Sequence, residues 1–269
     1  MKILINNRFG KGFSLVEMAV VLVILGFVLG ALLLPLQAQR TQLFQTQTEI
    51  TMQAAKKALI GYAQSKGRLP CPSTAVSNGL EAPLGGGTCT QVVGFLPAAT
   101  LGIQPTDAQG YALDGWNNRI RYAVTLNDSS AAVVNGTVCG GAATPDFTTA
   151  GNMSDVGLAC LAPDLRVCHS ATGLTAVACS AAVPEVNYSI NNAVAVIYST
   201  GATGVQAIGG ADETANLNDA DANGIIDDGV FVSHGNTVVA APNGEFDHIV
   251  TWISPYVLYN AMIEAGQLH

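Results

Sequence analysis

From Leu15 to Leu36 the chain reads LVEMAVVLVILGFVLGALLLPL, an apolar run with one charge, Glu17. At roughly 22 residues it is long enough to cross a bilayer as a helix. Beyond it, residues 37–66 hold no proline and a single glycine, Gly61, so the pattern predicts that one helix continues to Lys66. Leu36, Leu43 and Ile50 recur every seven residues and are followed by Ala54, Ala58 and Tyr62. That spacing predicts a narrow apolar stripe packed on the rest of the protein. Gly67, then Pro70 and Pro72, mark the stop. A helix over 13–66 would be about 80 Å long. Gly26, Gly30 and Pro35 weaken its middle, by backbone entropy and by a missing hydrogen bond.

After Arg68 the pattern changes to short apolar segments separated by turn residues. The better strand candidates are 119–126, 193–200, 230–234 and 246–253; weaker ones are 133–139, 165–169 and 175–180. A short last helix is expected over 255–265, with Pro255 in its first turn and Gly266 at its end. The expected fold class is α+β: a long N-terminal transmembrane helix, then a β-rich, mainly antiparallel globular head. The boundaries expected are a leader over 1–12, the long helix over 13–67 and the head over 68–269.

Charge sharpens this division. The chain has 269 residues and a net charge of −8. Lys2, Arg8 and Lys11 precede the apolar run, which predicts a cytoplasmic N-terminus and an exported head. Beyond Arg68 the only basic residues are Arg119, Arg121 and Arg166. Such an acidic body is a poor phosphate binder, which argues against nucleic acid as a partner, and a fair binder of cations. An ordinary signal peptide has an apolar core of about 7–15 residues followed by a small-residue cleavage site. Here the run is longer and no such site follows it before Gln37.

The distinctive residues precede the run: Lys11-Gly12-Phe13-Ser14-Leu15-Val16-Glu17. This segment resembles the processing site of type IV prepilins and type II secretion pseudopilins. The resemblance implies cleavage by prepilin peptidase between Gly12 and Phe13, then methylation of the new Phe13 amine. It makes Glu17 the fifth mature residue, where the family keeps a glutamate. A carboxylate in hydrocarbon costs about 2.5–3.5 kcal/mol, so a buried one is paired or working. The implied partner is the Phe13 amine of a neighbouring subunit, which would set the axial register of a filament. The alternative from the residues alone is a Glu17 that stays wet at the interface. The glutamate also argues against a dedicated tip subunit, since tip-capping members often lack it. A pilin-like fold follows as an expectation. So do an inner-membrane, lipid-embedded stage with a periplasmic head, and a later periplasmic or extracellular filament. Other pilin subunits and an inner-membrane assembly platform are the implied partners. Asp114-Gly115-Trp116-Asn117-Asn118 partly resembles a pseudopilin Asp-Pro-Trp-Gly-Asn stretch that opens the first sheet strand. Gly115 and Asn117 depart from it.

Six cysteines, Cys71, Cys89, Cys139, Cys160, Cys168 and Cys179, include no Cys-x-x-Cys pair, so zinc has little support. In an exported chain they suggest disulfides. Six cysteines allow 15 pairings; short loops favour Cys71–Cys89, Cys139–Cys160 and Cys168–Cys179, the last tying a hairpin over 166–180. Asp219-Ala220-Asp221-Ala222-Asn223-Gly224 follows the first half of a calcium loop. Val230 stands where an EF-hand needs its closing glutamate, so Asp227 and Asp228 would close the site, with Ile225 offering a carbonyl. The other reading is a solvated acidic turn. His169, His234, His248 and His269 are scattered, with Ser233-His234 and Asp247-His248 adjacent, and no nucleophile elbow, Walker loop or His-Glu-x-x-His is present. No enzyme activity is expected. A structural filament subunit is the leading expectation. An adhesin or ligand-binding head on a pilin stem is the alternative.

Overall fold

A computed structural model of the chain describes Gly12 and residues 14–182, 186–204, 210–217 and 229–269, with backbone alone over 31–38. In chain order its elements are α1 (Leu15–Lys66), β1 (Val93–Phe95), α2 (Ala98–Leu101), β2 (Arg121–Val124), β3 (Val133–Val134), β4 (Thr137–Val138), α3 (Asn152–Val156), β5 (Leu165–Cys168), β6 (Tyr188–Ala193), β7 (Ala195–Ser199), α4 (Ala211–Ala215), β8 (Val230–Val232), β9 (Ile249–Ile253) and α5 (Pro255–Glu264). The fold is α+β. Two compact units divide it, Met1–Leu43 and Phe44–His269.

In the first unit α1 is helical from Leu15, and every large apolar side chain from Leu15 to Leu29 is exposed. Among the described residues no helix is long and apolar enough to cross a membrane. The side chains of 31–38, which include the end of the expected span through Leu36, lie outside the described ones.

The second unit is layered. Its larger sheet has the order β1-β2-β7-β9, antiparallel throughout, with Tyr122 opposite Ile197 and Val196 opposite Trp252. Side chains alternate across a strand, so β7 feeds two cores. Ala195 and Ile197 join Tyr122, Val124 and Ile253 against Met52, Ala55, Leu59 and Ala63 of α1 and Leu258 and Met262 of α5. Val196 and Tyr198 join Ala123 on the other face, against Leu165, Val167 and Phe231 of a second sheet. All five residues of β7 are buried, which is why 193–200 reads as a continuous apolar run. The second sheet, β6-β5-β8, pairs β5 with β6 antiparallel and with β8 parallel.

Three expectations need correction. The apolar stripe holds only in part: Leu43 is 67 % and Ile50 66 % exposed and Ala54 is exposed too, while Ala58 packs half-buried on the main core and Tyr62 is half-buried. The buried face runs through Thr48, Thr51, Met52, Ala55, Leu59 and Ala63. Both threonine hydroxyls donate back to the helix, to Phe44 O at 2.7 Å and Gln47 O at 3.0 Å, which lets these polar residues be buried. The expected 166–180 hairpin is absent: β5 takes β6 and β8 as partners, and Thr175–Ala178 is a lone bridge. Sheet entry also precedes the Asp114 turn, since β1 pairs with β2 from the N-terminal side. The helix stop is where it was expected. Gly67 takes a φ of 66° and donates its N–H to Ala63 O.

Candidate functional site

The processing segment sits at the start of α1. Gly12 is exposed and outside any helix or strand; Phe13 lies outside the described residues. Glu17 is exposed in the first helical turn and closes a reciprocal cap with Ser14. Glu17 N–H donates to Ser14 Oγ at 3.1 Å, and Ser14 N–H donates to Glu17 Oε2 at 3.4 Å. This is a capping box, which satisfies two of the helix's orphan amides. The Ser-x-x-Glu spacing, legible in the sequence, thus gives Glu17 a local partner in addition to any intersubunit one.

The Asp114 turn meets α1. Asp114 is buried, accepts the amides of Trp116 and Asn118 on Oδ1, and accepts Ser199 Oγ on Oδ2 at 2.6 Å. Burial pushes its carboxyl above the usual range despite these bonds. Gly115 N–H donates to Thr48 Oγ1 at 2.9 Å, and a Cβ at Gly115 would strike the Phe44 backbone. Proline has no N–H to give and no room here, which accounts for the departure from the Asp-Pro-Trp pattern. Asn117, at φ 66°, supplies the left-handed residue that the pattern gives to glycine.

The cysteines form three disulfides, Cys71–Cys89, Cys139–Cys160 and Cys168–Cys179. The calcium-loop residues Asp219, Asp221, Asn223, Ile225, Asp227 and Asp228 lie outside the described residues.

A polar cluster not anticipated from the sequence lies at the end of β7. Thr203, in the turn after β7, donates its N–H to Asp247 Oδ2 at 2.9 Å. Its hydroxyl lies 2.9 Å from Asp247 Oδ1 and 3.1 Å from Glu213 Oε2. Asp247 N–H donates to Glu213 Oε1 at 2.7 Å. One oxygen of each carboxylate and one ring nitrogen of His248 fall within 4.8 Å of one another. Gly201, at φ 61°, leaves room for the Asp247 carboxylate, which a Cβ would strike. Burial, then the Asp247 charge, pushes the Glu213 carboxyl up to about 7. Burial holds His248 down to about 4, so its ring is neutral near pH 7. The adjacent Asp247-His248 pair was visible in the sequence; Glu213, 34 residues away, carried no signal.

A family model of the prokaryotic N-terminal methylation motif matches residues 8–33. No curated protein and no solved structure matches the chain. The match covers Gly12, Phe13 and Glu17 and the start of the helix that follows them. The N-terminus of this chain is therefore a prepilin motif of the type IV pilin and pseudopilin kind.

Proposed function

We propose that this chain is a minor pilin or pseudopilin. Prepilin peptidase cuts between Gly12 and Phe13 and methylates the Phe13 amine. The run over 15–36 holds the subunit in the inner membrane with its head in the periplasm. An assembly platform then passes it to a type IV pilus or a type II secretion pseudopilus, where other pilin subunits surround the helix. The observation that carries this reading is the methylation motif at residues 8–33 leading directly into α1. The exposed apolar side chains of Leu15–Leu29 support it, since a patch of that size marks a surface to be covered by lipid or protein. The role is structural and assigns no catalysis. Mass spectrometry of the native protein tests it: the mature chain should begin at methylated Phe13, and Gly12→Ala should leave the longer form. An intact Met1 in assembled protein would sink the proposal.

A second reading makes the head an adhesin or ligand-binding module on a pilin stem. An open groove of about 500 Å³, lined by Leu158, Leu161, Tyr256, Tyr259 and Ile263, favours it. Binding of the purified protein to surfaces, glycans and secreted substrates separates the two readings. We also propose that Asp219, Asp221, Asn223, Ile225, Asp227 and Asp228 form a calcium loop. A smaller calcium-dependent melting shift in Asp221→Ala than in the wild type is the expected outcome. A shift unchanged by that substitution would reduce the loop to a solvated turn.

A further inference from the structure

We propose a second cation site, distinct from the acidic loop: an oxygen-preferring divalent ion held by Glu213 and Asp247, with the Thr203 hydroxyl beside them. The proposal is independent of the filament reading.

Two carboxylates here converge on a single hydroxyl. Glu213 is 2 % exposed, yet its Oε2 and Asp247 Oδ1 both lie within about 3 Å of Thr203 Oγ1. One hydroxyl hydrogen cannot serve both oxygens. Like charges this close disfavour each other unless a proton or a cation intervenes. Among the described residues neither carboxylate has a lysine or arginine ion-pair partner. The head beyond Arg68 contains only three such residues. The amides of Thr203 and Asp247 donate to Asp247 Oδ2 and Glu213 Oε1, and the single Thr203 hydroxyl hydrogen reaches only one of Asp247 Oδ1 and Glu213 Oε2, so lone pairs remain on both carboxylates for a metal.

His248 supplies the independent observation. The Asn216 side chain is fixed by Val232, its Oδ1 accepting Val232 N–H at 2.7 Å and its Nδ2 donating to Val232 O at 3.0 Å. That Nδ2 also lies 3.1 Å from His248 Nδ1, so by the network Nδ1 accepts and the hydrogen sits on Nε2. His248 is 2 % exposed and its Nε2 is buried without a partner. A buried N–H in that position lacks an oxygen that the chain does not place at bonding distance. An ion arriving with ordered water brings one.

The same tautomer selects the class of ion. A histidine that ligates zinc donates a hydrogen from its other nitrogen to a neighbouring acceptor. Here Nδ1 is already an acceptor, so the ring is not prepared to ligate through Nε2. The remaining donors are carboxylate and hydroxyl oxygens, which suit calcium-like ions. Such an ion would tie the turn after β7, α4 and the start of β9 together.

The test is calcium titration of the full chain, purified in detergent and stripped with chelator, by calorimetry and thermal melts. Calcium should bind saturably and raise the melting temperature, since a ligand of the folded state alone stabilises it. One equivalent should persist when Asp221→Ala and Asp227→Ala remove the acidic loop. In that background Glu213→Gln or Asp247→Asn should weaken binding on the order of 10- to 100-fold. Far-UV circular dichroism in chelator checks that these isosteric variants fold. If one variant misfolds, the other decides. Identical melts in calcium and chelator would overturn the proposal, as would binding that both Glu213→Gln and Asp247→Asn leave unchanged.

Discussion

Arg68 grips Glu81 with both arms: Nη1 donates to Oε2 at 2.8 Å and Nη2 to Oε1 at 2.7 Å, with each side chain 6 % exposed. Tyr62 OH bridges the two, and the amides of Cys71 and Gly85 complete the carboxylate's shell. The pair fastens the end of α1 to the loop closed by Cys71–Cys89. Removing one partner strands a buried charge. Arg68→Met should therefore cost about 3–5 kcal/mol in denaturant melts, while replacing both partners with apolar residues should cost much less.

Its pH dependence follows from sign. Burial pushes Glu81 up, but the hydrogen bonds and charge of Arg68 outweigh it, so its carboxyl lies below the ordinary value. The stabilisation is then present above the unfolded value of about 4.3 and is lost as pH falls through the lower folded value. Urea melts from neutral to acid pH should show this loss in the wild type, and Glu81→Gln should flatten it.

Gly115 tests how the head is seated on the helix residues of its own unit. A Cβ there meets the Phe44 backbone, which cannot move aside as a side-chain tip can. Gly115→Ala should cost about 1–3 kcal/mol by overpacking. Thr48→Val, which removes the acceptor for Gly115 N–H but keeps the shape, should cost about 1 kcal/mol. Equal stability of Gly115→Ala and wild type would mean that the turn does not close on α1.

Cys168–Cys179 anchors a small core with Val230, beneath the β5–β8 pair. Opening it with a Cys168→Ala, Cys179→Ala double substitution should lower stability by about 2–4 kcal/mol. Non-reducing peptide maps should show all three links and no free thiol.

What could be read in advance was local. The long helix and its Gly67 stop, the strands at 121–124, 195–199, 230–232 and 249–253, and the helix at 255–264 all follow from apolar runs bounded by turn residues. What could not be read was long-range. Strand β6, YSINNA, is mostly exposed and polar, and pairs because β5 offers an edge. The parallel β5–β8 pair joins segments more than sixty positions apart, which no periodicity reports. Part of the buried face of α1 escaped the apolar pattern because it is built from Thr48 and Thr51, whose hydroxyls donate back to the helix. The Glu213–Asp247 cluster is of the same kind: its residues are adjacent only once β7, α4 and β9 are in place.

Glu17 has two partners to choose between, and they can be separated. In the isolated chain its carboxylate receives Ser14 N–H, while Ser14 Oγ receives Glu17 N–H. In the proposed filament the carboxylate pairs with the methylated amine of a neighbouring Phe13. Glutamine is an accepted residue at this position of a capping box, because its amide oxygen takes the same hydrogen bond. It cannot form an ion pair. Glu17→Gln should thus keep the helix start, insert, and be cleaved after Gly12, since removing a charge makes the run more apolar. Its incorporation into filaments should fall. Ser14→Ala does the reverse: it removes the hydroxyl cap, worth about 0.5–2 kcal/mol of helix stability, and leaves the charge intact. Cleavage and filament incorporation of the two variants, measured side by side by immunoblot of sheared filaments, assign the role. If Glu17→Gln assembles at wild-type level and Ser14→Ala does not, Glu17 is a helix cap and the amine pairing is wrong.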